Sequence, residues 1–334
     1  MDEQLEFRAL VVREQADGTF TINIEKKRIG DLPEGEVVIK NAYAGLNYKD
    51  ALSASGHKGI SRYFPHTPGV DACGTVAYSQ SLSFKEGDEV IVTGYDLGMN
   101  TSGGFQEYIR VPASWVVPKP NGISLKEAMV YGTAGFTAAL SLYKMERMGQ
   151  NPDMGEVLVT GSTGGVGSMA VGILAKAGYK VLATTGNPNA HDYLKKLGVH
   201  RIEGRDYAND ESGRPLLGSR WAGAIDTVGG NTLATCVKAC QRKGSVASCG
   251  LVASHELHMT VYPFLLNGVN ILGIDSAETD MVLRQEIWGK LAESWKIDSL
   301  LDYGTFVPLD NIIDQMDLIL QGKTQGRVVV DFSL

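Results

Sequence analysis

The segment Gly161-Ser162-Thr163-Gly164-Gly165-Val166-Gly167 places four glycines in seven residues. It follows the apolar run Val157-Leu158-Val159-Thr160 and precedes Ser168 to Lys176, which reads as a helix. Strand, glycine turn and helix in that order suit a pyrophosphate, because backbone N–H groups can approach it where no Cβ intervenes and the helix dipole adds attraction. Gly164 permits the approach, and Gly167 lets the helix pack against the strand. Ser162 takes the first glycine position of the GxGxxG fingerprint, which is therefore matched only in its second and third glycines. A purely structural turn is the alternative. The helix that follows, and a second apolar strand ending near Thr184, favour a dinucleotide cradled by Thr163, Gly164, Gly165 and Val166.

A site for NAD usually carries Asp or Glu at the end of the second strand to hold the ribose 2′-hydroxyl. The corresponding segment here, Thr184-Thr185-Gly186-Asn187-Pro188, has no acid. A carboxylate there would repel a 2′-phosphate, whereas the Thr185 hydroxyl, the Gly186 backbone and the Asn187 amide can accept one. Lys196 or Arg205 can add positive charge, although a solvated surface arginine is an equal account of Arg205. NADPH is the expected cofactor.

These residues need a frame. From Phe7 to about Pro120, short strands such as Glu36–Lys40, Gly74–Tyr78, Asp88–Val92 and Glu107–Val111 are cut by Gly, Pro, Asp and Asn, a texture that predicts a β-rich, barrel-like domain. Ser124-Leu125-Lys126-Glu127 is a capping-box pattern that starts a helix over Ala128 to Leu142, with Gly132 and Gly135 inviting a break. Beyond Glu156, strands and helices alternate through Val181–Thr184, Gly223–Asp226, Ser245–Ser248 and Asn270–Ile274, the mark of an α/β doubly wound parallel sheet. The tail from Gly304 returns to strand and helix pieces and could close either domain.

A net charge of −7 in 334 residues disfavours nucleic acid as a partner. No apolar run approaches the roughly 20 residues that cross a bilayer. Met1-Asp2-Glu3-Gln4 is acidic where a secretory signal is basic, so no membrane association and a cytoplasmic location are expected. Cys73, Cys236, Cys240 and Cys249 form no CxxC pair and have no histidine at metal-ligand spacing, which predicts reduced, packed thiols and no metal. The six histidines lie near no catalytic pattern.

Further segments carry a resemblance. Gly45-Leu46-Asn47-Tyr48-Lys49-Asp50-Ala51, Pro68-Gly69-Val70-Asp71, Gly87-Asp88-Glu89-Val90, Tyr131 to Ala139, the glycine turn, and Gln325-Gly326-Arg327-Val328 together resemble the medium-chain dehydrogenase/reductase superfamily over nearly the whole chain. The likeness is to its zinc-free bacterial branch of quinone oxidoreductases and acryloyl-CoA reductases. The resemblance implies a GroES-like catalytic domain over 1–124 and 299–334, a Rossmann dinucleotide-binding domain over 125–298, and a homodimer formed through Rossmann domains. It also implies NADPH-dependent reduction of an activated carbon–carbon double bond in an enoyl-CoA, an enone or a quinone. A dinucleotide-binding protein without turnover is the alternative from another class. In zinc-dependent relatives a cysteine stands at the position of Asn47 and a Gly-His-Glu element at Gly69-Val70-Asp71, so the resemblance implies hydride transfer without zinc.

The resemblance further implies that Asn47 lies beside the nicotinamide, that Thr133 and Thr137 face the nicotinamide-ribose end, and that Arg327 contacts the cofactor. It implies that Gly250 and Leu251, and Asp275 and Ser276, line the cofactor from two strand ends. Tyr48 is the candidate proton donor, against a packed tyrosine or solvent. Asp50 could orient Tyr48 or Lys49, against a helix-capping aspartate. Arg62 could meet a substrate phosphate, against a surface arginine stacked on its aromatic neighbours.

Overall fold

The computed structural model describes residues 1–334, which form two compact units. One comprises Met1–Thr133, Ala277–Gly289 and Ser299–Leu334, and the other Ala134–Ser276 and Lys290–Asp298.

The first unit opens with β1 (Glu6–Glu14) and β2 (Phe20–Arg28), paired as an antiparallel hairpin. It continues with β3 (Val37–Gly45), the short helix α1 (Tyr48–Ala54), β4 (Asp71–Ser79), β5 (Glu89–Thr93), β6 (Tyr108–Val111) and β7 (Val117–Pro118). The strands expected from the sequence between 36 and 111 are all present, and β3 pairs with both β4 and β6.

Helix α2 (Leu125–Arg147) starts at the capping box: the Ser124 hydroxyl accepts from Glu127 N–H at 3.1 Å, and Glu127 Oε2 accepts from Ser124 N–H at 2.8 Å. The helix breaks at Gly132, where φ is 49° and ψ is −154°, and not at Gly135. Only glycine adopts that backbone without strain.

The second unit is built on β8 (Val157–Val159), α3 (Gly165–Lys176), β9 (Val181–Thr184), α4 (His191–Lys196), β10 (Arg201–Glu203), β11 (Gly223–Asp226), α5 (Gly230–Lys238), β12 (Ser245–Ser248), α6 (Tyr262–Asn267) and β13 (Asn270–Gly273). The six strands lie in the order β10-β9-β8-β11-β12-β13, every pair parallel. This is the expected doubly wound sheet, with order 3-2-1-4-5-6 when β8 is counted as its first strand. Its central strands β8, β9 and β11 are buried along their whole length, as sheets covered on both faces require. Leu158, Leu182, Ala224 and Val246 share one core cluster with Trp221 and Val237.

The chain ends with α7 (Met281–Ala292), β14 (Gly304–Val307), α8 (Ile312–Leu320) and β15 (Arg327–Asp331). The tail belongs to the first unit: β15 pairs antiparallel with β3, and β14 runs parallel to β15. Leu46, Ala51, Ala54, Ile312, Met316 and Val330 bury together, so α1 and α8 seal one face of that sheet. No helix is long and apolar enough to cross a membrane. All four cysteines are free thiols, three of them buried.

Candidate active site

The first cluster of candidate residues lies at the carboxyl edge of the parallel sheet. At the order reversal between β8 and β11, the Thr160 hydroxyl donates to Asp226 Oδ1 at 2.7 Å and accepts from Thr227 N–H at 3.0 Å. Asp226 Oδ2 in turn accepts from Gly229 N–H at 2.8 Å. Burial pushes the Asp226 carboxyl above its ordinary range. Open α/β sheets bind their ligands at such a reversal.

Directly beside it, Gly164 caps α3, and the glycine turn brings Thr163, Gly164, Gly165 and Val166 to the helix start. The first N–H groups of a helix have no acceptor within it, so this end presents donors with the dipole behind them. A Cβ on Gly167 would run into the Gly161 carbonyl, which fixes that glycine for close helix–turn packing, while a Cβ on Gly164 would meet nothing nearer than 3.4 Å. The Ser162 hydroxyl, in the first fingerprint position, donates to Val159 O at 2.8 Å and Thr184 O at 3.0 Å and so ties the turn to both strands.

After β9 the backbone N–H of Asn187 donates to the Thr185 hydroxyl at 3.0 Å, and Asn187 Oδ1 accepts from Asn189 N–H at 3.1 Å. Arg205, following β10, lies across Gly186: a Cβ on the glycine would come to 2.6 Å from Arg205 Nε. The acid on the adjoining strand, Glu203, is paired with Arg201 at 2.8 Å. The guanidinium at the Thr185–Asn187 turn is that of Arg205, while the Glu203 carboxylate is held by Arg201. Lys196, the other candidate cation, stands exposed at the end of α4.

Gly250 and Leu251 follow β12, and Gly250 packs so closely on Thr227 that a Cβ would strike its carbonyl. Asp275 and Ser276 follow β13, where the Thr137 hydroxyl donates to Ser276 Oγ at 2.8 Å. Thirteen of the residues expected at a cofactor thus lie in the second unit: Thr137, Thr163 to Val166, Thr185 to Asn187, Arg205, and the pairs after β12 and β13, Leu251 among them with its side chain exposed.

The second cluster lies in the first unit. Asn47 ends the β3 connection and caps α1, its backbone N–H donating to Asp50 Oδ2 at 2.7 Å. Its amide Nδ2 donates to Asp71 Oδ2 at 2.8 Å, and its Oδ1 accepts from Arg327 Nη1 at 3.2 Å. Asp71, fully buried at the start of β4, also takes Thr133 N–H at 2.9 Å and the Thr133 hydroxyl at 2.6 Å through Oδ1. Arg327, buried at the start of β15, reaches Asp71 Oδ2 at 3.3 Å, Leu46 O at 2.9 Å and Val130 O at 3.0 Å. Backbone glycines make room for this ion pair: a Cβ on Gly45 would come to 2.8 Å from Asp71 Oδ2, and one on Gly132 would overlap it.

Asp50 is the helix-capping aspartate of the two readings. Its Oδ1 accepts from Val70 N–H at 2.9 Å and its Oδ2 serves Asn47, so its carboxylate orients neither Tyr48 nor Lys49. Burial first, and the neighbouring Asp71 charge second, push the Asp50 carboxyl up to about 7. Tyr48, at the first position of α1, is 42% exposed. Arg62 is exposed next to an exposed Tyr63, its backbone N–H donating to Asn100 Oδ1 at 3.2 Å. Asp71 and the Thr160–Asp226 pair are the residues that sequence reasoning missed, although Asp71 stood within a quoted motif.

A zinc ion does not fit the Asn47 cluster. Asn47 offers a neutral amide, Val70 stands beside it, and the Asp71 carboxylate is already satisfied by a guanidinium and Thr133. No group of three His, Cys, Asp or Glu side chains is arranged to hold a metal.

Residues 33–121 match the alcohol dehydrogenase GroES-like domain, and residues 165–292 match the zinc-binding dehydrogenase family. The chain is 46% identical over 325 residues, covering 97% of it and 98% of the relative, to the "Putative quinone oxidoreductase YhfP" of Bacillus subtilis. The solved YhfP structure with NAD bound superposes with a TM-score of 0.96 at 45% identity, over 98% of this chain and all of that one. The acrylyl-CoA reductase AcuI of Ruegeria pomeroyi is 42% identical over 97% of this chain and 99% of its own. The yhdH oxidoreductase of Salmonella enterica, crystallised with NADP, superposes with a TM-score of 0.94 at 41% identity over 97% of this chain and 99% of that one. With both units matched and relatives alike from end to end, the chain belongs to the medium-chain dehydrogenase/reductase family, in the branch of these acrylyl-CoA reductase and quinone oxidoreductase relatives.

Proposed function

We propose that the protein is a zinc-independent oxidoreductase that uses NADPH to reduce an activated carbon–carbon double bond, with acryloyl-CoA or a similar short enoyl thioester as its substrate. The observation that carries the reading is the acid-free Thr185–Asn187 turn with Arg205 laid across Gly186, beside a helix N-terminus at the sheet's order reversal. The likeness to AcuI supports the thioester, and the NADP-bound Salmonella relative supports the cofactor. Reduction of a quinone or enone is the second reading, supported by the name of YhfP.

When bound, NADPH supplies the hydride. The turn residues Thr163 to Val166 hold the pyrophosphate, and Thr185, Gly186, Asn187 and Arg205 hold the 2′-phosphate. Thr137, Gly250, Leu251, Asp275 and Ser276 line the dinucleotide, and Asn47, Thr133 and Arg327 serve its nicotinamide side. Hydride arrival at the β-carbon loads the thioester oxygen with negative charge and leaves the α-carbon needing a proton. Tyr48, exposed and at the start of α1, donates to one of these positions, and Arg62 meets the phosphates of the thioester's carrier.

The same proposal includes a homodimer and a cytoplasmic location. The dimer is supported by β13, which is the outer strand of its sheet, and by the exposed apolar side chains Leu265 and Leu266 on α6 and Ile271 on β13. NADPH oxidation measured on acryloyl-CoA beside a simple quinone tests the function. A large kcat/KM preference for the thioester supports it, a preference for the quinone replaces the substrate, and no turnover of either leaves a dinucleotide-binding protein.

A further inference from the structure

Asp71 is the one side chain that touches every other member of the buried cluster in the first unit except Asp50. Its Oδ2 takes the Asn47 amide at 2.8 Å and the Arg327 guanidinium at 3.3 Å, and its Oδ1 takes both the N–H and the hydroxyl of Thr133. It is fully buried, and so is nearly all of Arg327. Removing a buried charge from water is expensive and is offset only when its lone pairs are used, as they are here by four donors.

Two consequences follow for the neighbours. An asparagine amide can rotate by half a turn and exchange its oxygen and nitrogen, but at Asn47 the carboxylate accepts only from Nδ2 while Arg327 donates only to Oδ1. The amide is therefore set in one orientation. At Thr133, the backbone N–H follows the break in α2 at Gly132, where the helix's own acceptor is lost, and Asp71 replaces it. The glycines at 45 and 132 admit this carboxylate and would admit no side chain beside it.

We infer that Asp71 is a positioning residue for the reaction: it sets the Asn47 amide and the Thr133 turn, and through Asn47 it acts on the hydride-transfer step. The inference rests on the proposed function, which puts Asn47 and Thr133 at the nicotinamide. Asp71 is fully buried and all its hydrogen bonds go to protein groups, so on this inference its removal acts through the groups it holds.

A double-mutant cycle tests this. Asp71→Asn keeps the shape but turns an amide donor toward two other donors. It lowers kcat by about 30-fold, as sub-ångström misplacement of reacting groups does, with the KM for NADPH changed by less than about threefold, because the phosphate-holding residues lie elsewhere in the chain. Asn47→Ala gives a comparable loss, and the double variant is no slower than Asn47→Ala alone. Losses that multiply in the double variant would overturn the inference, as would an Asp71→Asn enzyme whose thermal midpoint falls while its kcat does not.

If Asp71→Asn does not fold, the exchange Asn47→Asp with Asp71→Asn keeps an amide facing a carboxylate with the roles reversed. That exchange is expected to fold but to turn over as slowly as Asn47→Ala, because position 47 no longer presents an amide; a wild-type kcat, or a failure to fold, overturns the inference. If the wild-type protein turns over neither acryloyl-CoA nor a quinone, the proposed function fails. The same cycle is then read in the emission of bound NADPH: Asn47→Ala and the double variant must give the same shift, and different shifts overturn the inference.

Discussion

Arg205 crosses the backbone of Gly186 so closely that a single Cβ on the glycine would meet its Nε at 2.6 Å. The arginine and the turn after β9 belong to one small surface, and its charge is the reason to expect NADPH over NADH.

Arg205→Ala is expected to weaken NADPH about tenfold or more, the worth of a hydrogen bond to a charged group, while NADH is unchanged. Thr185→Asp should cost NADPH far more than NADH. Fluorescence titration with both cofactors reads each variant, and equal losses of the two would refute the 2′-phosphate assignment.

The glycine turn predicts a different pattern. Gly167→Ala forces a methyl group against the Gly161 carbonyl, so the turn must move. NADPH and NADH affinity should fall together, and the thermal midpoint should drop by several degrees for a loss of about 1–3 kcal/mol. A variant with normal affinity for both would show that the turn does not hold the pyrophosphate.

Asp50 gives a pH dependence of defined sign. Its carboxyl is raised from 3.8 to about 7 by burial and by Asp71, so the folded state holds this proton more tightly than the unfolded chain does. The stability that follows is fully present below about pH 4 and is lost as pH rises toward 7. Asp50→Asn stays neutral throughout. The thermal midpoint of the wild type relative to this variant should therefore fall by about 5 °C between pH 4.5 and pH 8, and a difference that rises with pH would contradict the burial account.

The homodimer can be tested at the edge strand. Leu265→Glu combined with Ile271→Glu puts charge on the exposed apolar side chains of α6 and β13. Sedimentation should show a wild-type dimer and a monomeric variant with the far-UV spectrum retained. A monomeric wild type would remove the dimer from the account.

Much of this was legible in the sequence because local chemistry determines it. The Ser124–Glu127 box, the alternation beyond Glu156 and the glycine turn depend on neighbours within a few residues. They became the start of α2, the parallel sheet and the N-terminus of α3. What stayed hidden depends on distant partners. Asp71 and Arg327 are 256 positions apart, and their pairing follows from β15 joining β3. The break at Gly132 and not at Gly135 is likewise decided by the Asp71 carboxylate beside it. Asp50 offered two readings in sequence, and Val70 N–H, twenty residues on, decides for the cap.

The central claim is hydride transfer from the nicotinamide to the β-carbon of an enoyl thioester. The most direct measurement is the mass spectrum of the product formed from acryloyl-CoA and NADPH deuterated at the transferred C4 position. The account predicts propionyl-CoA with one deuterium at C3, and, in heavy water with unlabelled NADPH, one deuterium at C2. Saturated product lacking the C3 label, or no saturated thioester at all, would contradict it.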